Sequence, residues 1–161
     1  MTDKVIINAS PLIFLSRSHH LALLKSFADE VWVPEPVAKE ILYRGQEDIT
    51  AQAIKHTAWL ITQPVEEIPM SILEWRLGVG ESAVLALGLA YPHTEVIIDD
   101  LAGRKCADSL DIPVRGTLGL VLAAKKRGVI PKARPVIEDM MSAGLYLSKR
   151  ILDQALGKVG E

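Results

Sequence analysis

The chain has 161 residues, 49% of them hydrophobic and 24% charged, with a formal net charge of −2. That length is one ordinary domain, expected over residues 1–161, and the composition excludes an intrinsically disordered chain. Its one cysteine, Cys106, excludes an intrachain disulfide or a cysteine-built zinc site and points to a reducing, cytoplasmic setting.

Residues 4–8 are a short apolar run of strand character that ends at Asn8. Ser10 followed by Pro11 reads as an N-cap with proline at the first helical position. Helical patterning follows through Leu12, Leu15, Leu21 and Leu24 to Phe27, with an interruption near His19 and His20. Residues 31–33 form a second strand, punctuated by Pro34 and Pro36. Residues 37–43 form a short helix that Gly45 stops, and residues 49–57 another. Residues 59–62 are a third strand and residues 71–77 are helical. After Gly78-Val79-Gly80-Glu81, an alanine- and leucine-rich helix covers residues 82–91, and Pro92 ends it. Residues 95–100 carry the strongest strand signal and run straight into Asp99 and Asp100. A helix over 103–110, a strand over 112–114 and a helix over 118–127, capped by Thr117 and closed by Gly128, come next. Helices over 136–142 and 148–156 finish the chain.

Short apolar strands alternating with helices indicate an α/β domain with a mostly parallel sheet. In such a sheet the ligand crevice lies beyond the carboxyl ends of the strands. The residues leaving each strand are therefore the candidates. They are Asn8 and Ser10 after the first strand, Glu40 after the second, and Asp99 and Asp100 after the strongest, with Glu81 in the first turn after Gly80. Carboxylates converging from separate elements repel one another unless a cation joins them, and hard oxygen donors suit Mg²⁺ or Mn²⁺. Each residue also has a purely structural reading. Glu81 is stabilised by any helix N-terminus, Glu40 is a solvated helix residue, and one of Asp99 and Asp100 caps the next helix.

Charge is unevenly placed. Residues 28–81 hold ten acidic against four basic side chains, and residues 101–134 hold eight basic against two acidic. Arg104 is the basic residue best placed to meet a substrate phosphate, because it opens the helix after Asp100. No apolar run reaches the roughly 20 residues of a membrane helix, and the first residues carry no apolar signal core, so no membrane contact is expected.

Together these stretches resemble a known family. Val5-Ile6-Ile7-Asn8-Ala9-Ser10-Pro11-Leu12, Gly80-Glu81-Ser82-Ala83, Ile98-Asp99-Asp100 with Gly103-Arg104, and Val114-Arg115-Gly116-Thr117 follow in an ordered series over nearly the whole chain. The series is similar to that of the PIN-domain superfamily, in its VapC-like, PIN-like branch. The resemblance implies a three-layer α/β/α fold and Mg²⁺- or Mn²⁺-dependent endoribonuclease activity on single-stranded RNA. It also implies a toxin of a toxin–antitoxin pair, dimeric and silenced by a small antitoxin-type protein. Carried over by position, it implies that Asn8, Glu40, Glu81 and Asp100 hold the catalytic positions. Asp99 is an equal candidate beside Asp100, so Glu81, Asp100, Asp99 and Asn8 form the expected metal set. Arg104, Ser10 and Thr117 are expected at the substrate phosphate.

One departure stands out, because the family's first acidic position is usually aspartate and here it is Asn8. The alternative reading is accordingly a catalytically impaired PIN-like module that binds RNA or protein. The apolar residues of the last two helices, Ile137, Met140, Met141, Leu145, Leu147, Ile151 and Leu156, suit a homodimer and serve equally to close the core.

Overall fold

The computed structural model describes residues 2–161. In chain order the elements are β1 (Thr2–Ile7), α1 (Ala9–Arg17), a 3-10 turn (Leu21–Ser26), β2 (Ala28–Pro34), α2 (Glu35–Leu42), α3 (Ile49–His56) and β3 (Leu60–Gln63). They continue with α4 (Met70–Leu73), α5 (Val79–Ala90), β4 (Glu95–Ile97), α6 (Leu101–Ser109), β5 (Val114–Arg115), α7 (Thr117–Lys126), α8 (Ala133–Ser142) and α9 (Lys149–Gly157).

The five strands form one sheet in the order β3-β2-β1-β4-β5, every pair parallel. Side chains of successive strand residues point to opposite faces, yet the neighbours Ile6 and Ile7 are both fully buried. Helices therefore cover both faces, and the fold has three layers, α/β/α. Register is fixed by apolar partners, Val5 beside Val31 and Ile7 beside Ile97 on the two sides of β1. Gly88 lets α5 lie close on the sheet. A Cβ there would stand 2.8 Å from Val96 and 3.0 Å from Ile112. Cys106 is buried on α6, and burial pushes its thiol up.

Several boundaries differ from the sequence reading. The cap of α1 is Asn8 rather than Ser10, which lies inside the helix. The helix expected over 71–77 is only Met70–Leu73, and Arg76 adopts a left-handed φ of 53° that α-helix cannot accommodate. The last strand begins at Val114 rather than 112, because the Ile112 N–H donates to the Ala107 carbonyl and ties that residue to the end of α6. The C-terminal apolar residues divide. Ile137, Met140 and Leu156 are buried, Met141, Leu145 and Leu147 are half-buried, and Ile151 is exposed.

Candidate active site

The strand order sets the location. The chain winds from β1 through β2 to β3 on one side, then crosses back to add β4 and β5 on the other. The direction of winding reverses between β1 and β4, and the crevice beyond their carboxyl ends is the expected ligand site of such a sheet. The backbone N–H of Asn8, the first residue after β1, donates to the Ile97 carbonyl at 3.0 Å, so the two strand ends are joined there.

Asn8 is 4% exposed, and its Nδ2 donates to Glu81 Oε1 at 3.2 Å. Only the NH₂ end of an amide can face a carboxylate, so the Asn8 Oδ1 is turned away from Glu81. It lies 3.1 Å from where a Cβ on Gly80 would stand, and Glu40 Oε2 lies 3.6 Å from the same point. A Cβ on Gly78 would collide with Glu81 Oε2. These glycines thus leave room for polar atoms in a cleft of about 360 Å³ lined by Asn8, Ser10, Glu40 and Glu81. The helix α5 starts at Val79, earlier than the sequence pattern predicts, which puts Glu81 in its first turn. There the positive end of the helix dipole attracts negative charge.

The two aspartates after β4 part company. Asp100 caps α6, its Oδ2 accepting from the Gly103 N–H at 2.8 Å, and it stays exposed with Oδ1 outside that bond. Asp100 Oδ2 and Glu81 Cγ lie 3.6 and 3.8 Å from the Cβ position of Gly103, so the two residues flank one narrow gap. Asp99 turns toward α7 instead. Its Oδ1 accepts from the Thr117 N–H at 2.7 Å and its Oδ2 from the Thr117 hydroxyl at 2.6 Å. Thr117 is fully buried, and its side chain acts through Asp99.

Asn8, Ser10, Glu40 and Glu81 therefore share one cleft, with Asp100 at its side. Asp99 and Arg104 line a second, larger cleft beyond Gly116. A Cβ on Gly116 would stand 3.1 Å from Asp99 Oδ1 and 3.5 Å from Arg104 Nη1. Sequence reasoning missed Gly78 as a wall of the first cleft and Tyr146 and Lys158 as walls of the second. The first had a visible signal in its neighbour Glu81. The others sit in the last quarter of the chain with no local motif.

The donor set has the chemistry of a hard divalent cation, namely the Asn8 amide oxygen and the carboxylates of Glu40, Glu81 and Asp100. Among the described residues no three His, Cys, Asp or Glu side chains stand together as a metal-holding group. Mg²⁺ does not require one, since it retains several waters and binds proteins through one or two carboxylates. The residues present fit such an ion.

A family model described as a PIN domain matches residues 4–161 of the chain. No curated protein matches it.

Proposed function

This chain belongs to the PIN-domain family, which has a nuclease-type fold, and on that premise we propose that it hydrolyses single-stranded RNA with Mg²⁺ or Mn²⁺. One observation carries the reading. Oxygen-bearing side chains from separate elements, Asn8 after β1, Glu40 on α2, Glu81 on α5 and Asp100 after β4, meet at the edge where the sheet reverses its winding.

In this proposal Glu81 and Asp100 hold the ion, with Glu40 and the Asn8 amide oxygen as flanking donors. The bound ion supplies Lewis acidity toward the phosphoryl oxygen and activation of water. Asn8 fixes the orientation of Glu81 through its N–H. Asp99, both of whose oxygens are held by Thr117, is a positioning residue for the start of α7. Arg104 is exposed on the first turn of α6 and supplies a cation for the phosphate, with Ser10 at the rim of the smaller cleft. Water attacks phosphorus, the P–O3′ bond breaks, and the 3′ oxygen takes a proton, leaving a 3′-hydroxyl and a 5′-phosphate.

The proposal extends to the toxin of a toxin–antitoxin pair, acting in the cytoplasm as a homodimer and silenced by a small partner protein. Family membership supports it, and the exposed apolar side chains Met70, Val79 and Leu101 give surface for protein contacts. Among the described residues no helix is long and apolar enough to cross a membrane.

A second reading, a PIN-like module that binds without turnover, is favoured by Asn8 itself. Its amide is neutral where a carboxylate would add ligand charge, and it caps one oxygen of Glu81. The deciding experiment is cleavage of a labelled single-stranded RNA pool with Mg²⁺, Mn²⁺ or EDTA. It is run beside a Glu81→Gln/Asp100→Asn variant, in which the new amide at position 100 keeps an oxygen for the α6 cap. Metal-dependent cutting that the variant lacks supports the nuclease. No cutting by folded protein, or equal cutting by the variant, overturns it in favour of the binding module.

A further inference from the structure

The larger cleft, about 640 Å³, lies between α7 and α9 and is wide enough for a small organic ligand. Its walls are of two kinds. Leu118, Leu122 and Ile151 provide an apolar surface, and Tyr146 stands at its edge with 86% of its surface exposed. Arg104 and Lys158 bring positive charge, and neither forms an ion pair among the described residues. The other charged residues of the cleft are already engaged. Asp99 accepts two hydrogen bonds from Thr117, and Arg115 is held by Glu95 at 3.2 Å and lies over the Phe27 ring. What remains is an apolar wall, an exposed aromatic ring and two cations outside any of these ion pairs.

We propose that this cleft is a nucleotide subsite, which takes one base against Tyr146 and the apolar wall and its phosphate between Arg104 and Lys158. Flat apolar rings carrying a phosphate are the ligand class that matches both halves of the cleft, and a tyrosine ring stacks on any base. Gln154, also in the lining, offers an amide that donates and accepts toward a base edge. Asp99 lines this cleft and Asp100, the next residue, flanks the candidate active site, so the subsite is placed to take a nucleotide neighbouring the one that is cut. That placement rests on the nuclease reading, whereas the binding itself does not.

The test is calorimetric titration of the whole protein in EDTA with each of the four ribonucleoside 5′-monophosphates and with inorganic phosphate. At least one nucleotide is expected to bind more tightly than phosphate. Tyr146→Ala should weaken it about 5- to 150-fold, the range that loss of one stacked base produces, and Lys158→Ala should weaken nucleotide and phosphate alike. Circular dichroism checks that both variants fold, as the exposure of these side chains predicts. Nucleotides that bind no better than phosphate, or a Tyr146→Ala variant that binds them unchanged, overturn the subsite. So does tighter binding of an acidic peptide, which makes the cleft a protein-docking groove. Because the ion is absent from this assay, nucleotide binding without RNA cleavage refutes the nuclease alone. Cleavage without nucleotide binding refutes the subsite alone.

Discussion

Asn8 donates its side-chain N–H to Glu81 across 73 positions of sequence, at 3.2 Å. An aspartate in its place would put two carboxylates at that distance, with like charges repelling in place of a donated hydrogen bond. The asparagine thus sets a neutral donor, rather than a second carboxylate, beside Glu81 in the cleft proposed to hold the ion.

Asn8→Asp should therefore lower stability without divalent ions by about 1–3 kcal/mol, the scale of losing a charge-assisted bond and leaving a buried group unpaired. Mg²⁺ or Mn²⁺ should restore more stability to the variant than it gives the native protein. Thermal unfolding with EDTA and with each ion measures both. A variant as stable as the native protein in EDTA would mean the Asn8–Glu81 bond carries no weight.

Gly80→Ala places a methyl group 3.1 Å from Asn8 Oδ1 and 3.6 Å from Glu40 Oε2. The expected result is a folded protein with weakened Mn²⁺ binding, read by calorimetry. Gly88→Ala is the contrast. Its methyl would meet Val96 and Ile112 in the core, at a cost of about 1–3 kcal/mol in urea unfolding, with metal binding per folded molecule unchanged.

Thr117→Val keeps shape and backbone N–H but removes the hydroxyl that reaches Asp99 Oδ2 at 2.6 Å. It should cost about 1–2 kcal/mol by denaturant unfolding. Asp99→Ala should cost more, since both bonds to Thr117 go. If Asp99 instead holds the ion, Thr117→Val will alter the metal-binding constant more than the unfolding midpoint.

Glu161 gives a pH dependence. The Ala133 N–H is the main cause that holds its carboxyl at about 2 rather than 4.5; burial opposes this, and the Arg134 N–H and the Lys125 ammonium add to it. A depressed folded-state pKa contributes stability that is complete above the unfolded value and lost as pH falls toward the folded one. Glu161→Gln keeps an accepting oxygen without the charge. Its deficit in melting temperature relative to the native protein should hold steady down to pH 4.5 and narrow between 4.5 and 2. A deficit that does not change across that interval would separate the acid response from this carboxylate.

By itself the sequence determined what is local or periodic. The alternation of apolar runs with helical patterns specified a parallel α/β sheet. The ordered Asn-Ala-Ser-Pro, Gly-Glu and Asp-Asp stretches specified the family. Ser148 was legible as the start of the last helix, where its hydroxyl accepts from the Ile151 N–H.

Tertiary structure decided what depends on pairs far apart in sequence. Ser-Pro is a sound local cap signal, yet the cap of α1 is Asn8, whose N–H joins β4 and whose side chain reaches Glu81. Asp99 and Asp100 are equivalent as letters. They separate because Gly103 is three residues from Asp100, whereas Thr117 meets Asp99 only once β5 has paired with β4. The second cleft has no signature in any one segment, since α9 completes a wall that α7 begins. A carboxylate's partner, and hence its role, is set by strand order and register, which local pattern leaves open until the sheet has formed.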